Sequence, residues 1–329
     1  MLVLTAADVE AALDLDELRE AVAGAMADLS AGRASMPSRI AAAVPERHAI
    51  LAAMPAYLPS AGALTTKLVS LFPENRDRPT HQALIACFDP ATGTPVAVMD
   101  GRVITEARTA AAAALSARLL ARADARVAAV IGTGAQARAH ALALARDLRF
   151  STLVIAGRRP DAAAALATEV RSEVRSGIGV DAAASIDEAV RAADVVAAAT
   201  HTDTPVVRRE WLKPGAHVSS VGFNTSGEGE VDQQTVIDAA LFVESRESAL
   251  TPPPTGGIEI AKAIASGAIT KDHIRAEIGE VVGGTAPGRR DDTEITLYKS
   301  VGVAVQDAAA AALVLRIARE RGLGTEVPI

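Results

Sequence analysis

The chain has 329 residues, half of them hydrophobic and 22% charged, with a formal net charge of −7. That size and balance fit a globular protein with a large core and exclude a disordered chain, while the negative charge argues against nucleic acid as the main partner. The single cysteine, Cys87, excludes an intramolecular disulfide, and no run of about eighteen uncharged apolar residues offers a membrane span.

The start, MLVLTAADVE, turns acidic after four apolar residues, so no signal peptide is expected and the setting reads as cytoplasmic. Residues 5–32 predict a helix, with Asp14 as cap, Glu17 at the third helical position, and Leu15, Leu18, Val22 and Met26 at helical spacing before Gly32. Residues 36–58 alternate less cleanly and carry Arg39 and the Met54-Pro55 step. Residues 64–72 (LTTKLVSLF) read as a strand bearing Lys67. Strands at 83–88, 95–99 and 102–104, joined by DPATG and DG turns, complete an antiparallel meander. Cys87 sits in the apolar run ALIACF and reads as core. Residues 105–121 predict a long Ala-rich helix with Arg108 in its first turn.

From Arg126 onward, strands (127–131, 152–156, 179–183, 194–199, 216–220, 240–244) alternate with helices (134–147, 160–174, 186–192, 233–239). This rhythm predicts a doubly wound parallel sheet. Gly- and Pro-rich stretches at 251–257 and 283–288 read as loops. A last Ala-rich helix over about 300–321 ends at Gly322. It is expected to pack back on the N-terminal region, with no strand after it.

The organising stretch is VAAVIGTGAQA, residues 127–137. A buried strand runs into Gly132-Thr133-Gly134, and Ala135, Gln136 and Ala137 open a helix. Two glycines permit a tight turn and close approach to a pyrophosphate, and the helix start offers N–H groups and a positive dipole end. The second strand, 152–156, ends in Gly157-Arg158-Arg159. An acid there would bond the ribose 2′-hydroxyl of NAD, whereas arginines pair with the extra phosphate of NADP. The expected cofactor is therefore NADP(H), with NAD(H) as the alternative. The six histidines show no metal-ligand spacing, and no metal is expected.

Several blocks resemble the ornithine cyclodeaminase/mu-crystallin family: LAAMPAYLPSAGALTTKLVSLFP, HQALIACFDPATGTPVAVMDGRVITEARTAA, VIGTGAQA, WLKPGAHVSSVG, EVD and YKSVGVAVQDAAAA. The resemblance implies a Rossmann domain over 119–299, and an α+β substrate and dimerisation domain built from both chain ends, 1–118 and 300–329. It also implies a homodimer. The implied substrate is an amino or imino acid whose carboxylate is held by Arg39, Lys67 and Arg108, which suits charge-assisted and bidentate bonds. Arg108 at a helix start would stand where a cation is unfavourable for stability, which points to function. The family's catalytic carboxylate maps onto Asp232, with Lys67 as a further catalytic group; Asp232 reads equally well as the N-cap of the helix after it. Gly222, Ser300 and Gly302 match segments that border the nicotinamide, Thr200 follows a strand end of the kind that lines a cofactor cleft, and Thr109 and Val221 are counted among the cofactor-binding residues.

Two departures bear on activity. Cyclodeaminases carry a Glu two residues before the Met-Pro step, and here that residue is Ala52. They also tend to have an acid where Gly157-Arg158-Arg159 stands. Both point to net reduction of a cyclic ketimine α to a carboxylate, as in ketimine and pyrroline-2-carboxylate reductases. Ornithine cyclodeamination, an alanine-type dehydrogenase and an NADPH-gated small-molecule binding protein are the alternatives.

Overall fold

A computed structural model describes residues 1–174, 176–222, 227–252 and 255–328. The chain opens with β1 (Leu2–Leu4), α1 (Ala6–Ala12), α2 (Leu15–Ser30), β2 (Ile40–Val44), β3 (Ala49–Leu58), β4 (Ala63–Leu71), β5 (His81–Phe88), β6 (Pro95–Asp100) and α3 (Gly101–Leu120). It continues through β7 (Val127–Ile131), α4 (Ala135–Ala145), β8 (Thr152–Ala156), α5 (Pro160–Glu173), β9 (Gly179–Ala182), α6 (Ile186–Ala192), β10 (Val195–Ala198), β11 (His217–Ser220), α7 (Gln233–Asp238) and β12 (Ala240–Val243). There follow α8 (Arg246–Leu250), α9 (Ile258–Ala265), β13 (Ile274–Glu277), α10 (Ile278–Val282), β14 (Thr296–Lys299), α11 (Ala304–Arg321) and β15 (Thr325–Glu326). Two compact units result: Met1–Arg108 with Val303–Ile329, and Thr109–Gly302. The first break thus falls inside α3, at Arg108 rather than residue 118.

The first unit is built on a seven-stranded sheet, β15-β1-β6-β5-β4-β3-β2, antiparallel except where β1 lies beside β6. Strand period sorts its residues onto two faces. Lys67 is in register with Met54 and Ile85, and this face, with Ala52, Ala56 and Cys87, is buried. There α11 packs on β3, β4 and α2. The opposite face carries Ile40, Leu51 and Leu84, exposed at 71%, 49% and 41%. Pro55 is tolerated inside β3 because β2 pairs only as far as Ala53, so no partner on that side asks for its missing N–H.

Three local expectations change. Residues 5–32 hold two helices: a Thr5–Asp8 capping box starts α1, and Asp14 starts α2 by accepting from the N–H groups of Asp16 and Glu17. Residues 102–104 are helix, because the Asp100 carboxylate accepts from Val103 N–H at 2.8 Å and acts as a cap rather than a hairpin turn. Arg108 therefore lies two turns into α3, and the helix-start argument for it falls away. Finally, a short strand, β15, does follow the last helix and pairs with β1.

The second unit holds an eight-stranded parallel sheet, β13-β12-β14-β11-β10-β7-β8-β9. Its Val-, Ile-, Leu- and Ala-rich strands are buried, as a sheet covered on both faces requires. The order reverses between β7 and β10, the place where such sheets bind ligands at their strand C-termini. Strands β13 and β14 are additions to the sequence reading, and β14 inserts between β11 and β12. In the stretch expected as a loop at 251–257, residues 253 and 254 lie outside the described residues. Among the described residues no helix is long and apolar enough to cross a membrane, and no cluster of His, Cys, Asp or Glu could hold a metal.

Candidate functional site

In the second unit, β7 delivers Gly132 at φ +130°, a conformation that glycine adopts and side chains resist. A Cβ there would lie 2.5 Å from the Ala199 carbonyl, so the turn closes against the end of β10 only without a side chain. Gly132 N–H donates to Ala156 O at 2.8 Å, and Ala199 N–H to Ile131 O at 2.9 Å, which ties together the C-terminal ends of β7, β8 and β10. Gly134 is the N-cap of α4, with no side-chain cap, and a Cβ on it would meet nothing within 4 Å. Ala135 and Gln136 therefore begin a helix whose start has open space before it. Gly157 lies against Thr133, where a Cβ would meet Thr133 Cγ2 at 2.8 Å. Arg158 and Arg159 follow, both exposed, just before Pro160 opens α5. These residues fit the adenosine and pyrophosphate of a dinucleotide.

On the other side of the strand-order reversal, the segments are held by buried carboxylates. Glu230 is fully buried. Its Oε1 accepts from Thr200 N–H (2.5 Å) and Thr200 Oγ1 (2.7 Å), and its Oε2 from Ser220 Oγ (2.9 Å) and Gly222 N–H (2.6 Å). Lys299, at the end of β14, donates to Ser220 Oγ, the Gly222 carbonyl and Glu259 Oε1. Val221 N–H reaches back to Ala198 O at 3.1 Å. Glu244, just past β12, accepts from Ser300 Oγ at 2.9 Å and from the N–H groups of Val301 and Gly302 at 2.8 and 2.7 Å. Thr200, Gly222, Ser300 and Gly302 are thus backbone positions fixed at strand ends. Thr109 is buried in α3.

In the first unit, β4 and α11 bring together Lys67 and Asp307, whose Nζ and Oδ2 lie 2.7 Å apart. The other Asp307 oxygen takes Arg108 Nε at 3.1 Å, and Arg108 Nη1 donates to Gln306 Oε1 at 2.8 Å. All four residues are buried. Glu106 is occupied with Arg102 and is not the partner of Arg108. Burial pushes the Lys67 ammonium down to about 8; Asp307 opposes the shift, and the charges of Arg108 and Arg39 add to it. Burial by itself would raise the Asp307 carboxyl, but Lys67 and Arg108 outweigh it and hold it below the usual range. His81, at the start of β5, is pushed to about 4 by burial and by the same Lys67 and Arg108, so it is neutral at neutral pH. One carboxylate serving two buried cations, with Arg39 close enough to act on Lys67, leaves an excess of positive charge suited to an anionic ligand.

Asp232 behaves differently. It is the N-cap of α7, and Oδ1 accepts from Thr235 N–H (2.9 Å) and the Thr235 hydroxyl, while Arg209 N–H lies 3.2 Å away. Its carboxylate thus makes the helix cap that the residues around it allow. The sequence reading passed over Glu230, Glu244, Lys299 and Asp307. Glu244 and Lys299 carry a signal, a charge at or just beyond the end of an apolar run, as in LFVE and LYK; Asp307 is on the buried face of an Ala-rich helix; Glu230, in GEGEVD, carries none.

The model of the ornithine cyclodeaminase/mu-crystallin family matches residues 1–322. The ketimine reductase mu-crystallin of Mus musculus is 37% identical over 285 residues, covering 86% of this chain and 85% of the relative. The structure of Thermococcus litoralis Δ1-pyrroline-2-carboxylate reductase in complex with NADH and L-proline superposes with a TM-score of 0.93 at 36% identity, covering 99% of this chain and all of that one. An archaeal alanine dehydrogenase dimer with bound NAD gives 0.91 at 33% identity, covering 100% and 99%. The chain belongs to the ornithine cyclodeaminase/mu-crystallin family.

Proposed function

We propose that this member of the ornithine cyclodeaminase/mu-crystallin family is an NAD(P)H-dependent imine reductase. Its substrate is a cyclic ketimine bearing a carboxylate on the imine carbon, such as Δ1-pyrroline-2-carboxylate or Δ1-piperideine-2-carboxylate, and its product is the cyclic L-amino acid. The observation that carries the reading is the buried Lys67–Arg108–Asp307 cluster with Arg39 acting on it. Arg39 and Arg108 take the substrate carboxylate, a role that a planar guanidinium fills with paired bonds. A reduced nicotinamide supplies the hydride that the imine carbon receives. Lys67 keeps the imine nitrogen protonated as that bond forms, and Asp307 holds the ammonium in place while leaving it further protons to give.

Ala52 favours this over cyclodeamination. It is buried on the same face of β3 as Met54, the register partner of Lys67. An acid at that position would meet a side-chain amine; Ala offers such an amine nothing. The L-proline in the Thermococcus litoralis relative supports a cyclic product. The test is consumption of NADPH and NADH with five- and six-membered cyclic ketimines, beside L-ornithine. Turnover of neither ring size sinks the proposal, and proline and ammonia from ornithine without net cofactor change would replace it.

NADPH is the preferred cofactor in this reading. Arg158 and Arg159 are exposed beside Gly157, in a loop without an acid. The double substitution of Arg158→Ala and Arg159→Ala should lower kcat/KM for NADPH by about tenfold or more, the scale of a lost charge-assisted contact, and leave NADH nearly unchanged. Equal kcat/KM for the two cofactors in the unaltered protein would remove the NADPH preference.

A homodimer completes the reading, in keeping with the alanine dehydrogenase dimer. Ile40, Leu51, Tyr57 and Leu84 share the uncovered face of the first unit's sheet, and a second copy of the chain would bury them. Light scattering should give twice the 33.7 kDa chain mass, and Leu51→Glu should return it to one. A wild-type protein at single-chain mass would end this part of the proposal.

A further inference from the structure

We propose that Glu230 is the positioning residue of the nicotinamide half of the dinucleotide site, tying the end of β10 to the end of β11 through one buried carboxylate. The inference rests on the dinucleotide reading above and goes beyond it by assigning the two halves of the cofactor to different holding groups. A dinucleotide lies across the reversal in strand order. The Gly132 turn, the start of α4 and Arg158 are on the β7-β8 side and serve the adenosine half. Thr200 and Gly222 are on the β10-β11 side, which leaves them the nicotinamide half.

Glu230 meets both. Four donors converge on its two oxygens: two from Thr200, one from Ser220 and one from Gly222. Gly222 is held at both of its peptide groups, its N–H by Glu230 and its carbonyl by Lys299 Nζ at 3.1 Å. A Cβ on Gly222 would lie 2.4 Å from the Glu230 carboxyl carbon, so the two residues are already in contact and leave no slack. The carboxylate is itself anchored from behind. Its backbone N–H donates to Glu259 Oε1 at 3.1 Å, the atom that Lys299 also reaches, and its carbonyl accepts from Val206 and Val207. Only an acceptor with two equivalent oxygens satisfies this set. A Gln amide in its place turns an NH2 toward either Thr200 N–H or Gly222 N–H, and one strand end loses its tether.

The test compares whole cofactors with their adenosine half. Affinities of NADPH, NADH, ADP-ribose and 2′-phospho-ADP-ribose are measured by calorimetry on the wild-type protein, Glu230→Gln and Ser220→Ala. Glu230→Gln should weaken both reduced dinucleotides by about tenfold, as for one lost charge-assisted bond, and leave both ADP-ribose ligands within about twofold. Ser220→Ala removes one donor and should show the same selective loss at about threefold. It carries the test alone if Glu230→Gln does not fold. An equal loss on all four ligands would assign Glu230 a purely structural role and overturn the proposal, as would unchanged affinity throughout. Failure of the wild-type protein to bind any of the four overturns the dinucleotide reading as well; normal wild-type binding with no selective loss overturns this proposal alone.

Discussion

Lys67→Met should abolish most turnover while leaving the fold intact. The expected loss in kcat is about 10²–10⁴-fold, the range of a positioned proton donor. Methionine matches the lysine stem in length and leaves no charge behind. Asp307 keeps Arg108 as its ion-pair partner at 3.1 Å, so the substitution strands no buried carboxylate, and the thermal midpoint should hold. The pH profile separates a proton donor from a mere carboxylate anchor. Burial has brought Lys67 down to about 8, so the fraction in the charged, donating form falls as pH rises through that value. Wild-type kcat should therefore decline above about pH 8, and the residual activity of Lys67→Met should lack that limb. A variant within threefold of wild-type kcat, or one with the same descending limb, would take the proton role away from Lys67.

Gly132→Ala should destroy dinucleotide binding. Two independent penalties act at one atom: φ of +130° is a region that alanine avoids, and the new Cβ would sit 2.5 Å from the Ala199 carbonyl. Strain of this kind costs about 1–3 kcal/mol at a non-glycine residue before the clash is added. Relief requires the end of β7 to part from the end of β10, the place where the cofactor lies. Affinity for NADPH should fall by about 100-fold or more, equivalent to about 2.7 kcal/mol, with a lowered thermal midpoint. Gly134→Ala is the matched comparison. It opens α4 with no positive φ, and its Cβ would meet nothing within 4 Å. It should keep the wild-type thermal midpoint and still lose affinity, because only a bound pyrophosphate occupies that space. Wild-type affinity in both variants would remove the dinucleotide from this turn.

The two substitutions also mark how differently the halves of the chemistry were written in the chain. The glycine turn is a local feature. An apolar run, two glycines and an Ala-rich helix occupy consecutive residues, and the strand at 127–131, the helix start at 135 and the strand at 152–156 all lie where period and glycine placement put them. The anion cluster is not local. Asp307 is 199 residues from Arg108, and nothing near either announces the other.

Local patterning along the chain sets the class of each segment: a meander near the start, an alternating parallel region after it, and the dinucleotide turn. These follow from side-chain period and backbone freedom, which act over a few residues. The Asp100-Gly101 pair shows where that reach ends. It suits a hairpin turn or a helix cap equally well, and packing chose the cap: a Cβ at Gly101 would fall 2.9 Å from that of Ala83 on the neighbouring strand. Tertiary structure alone placed β14 between β11 and β12, set Asp307 between two cations and gathered four donors on Glu230. Each of these depends on partners distant in the chain, and a buried charge is settled by whatever partners the fold brings to it.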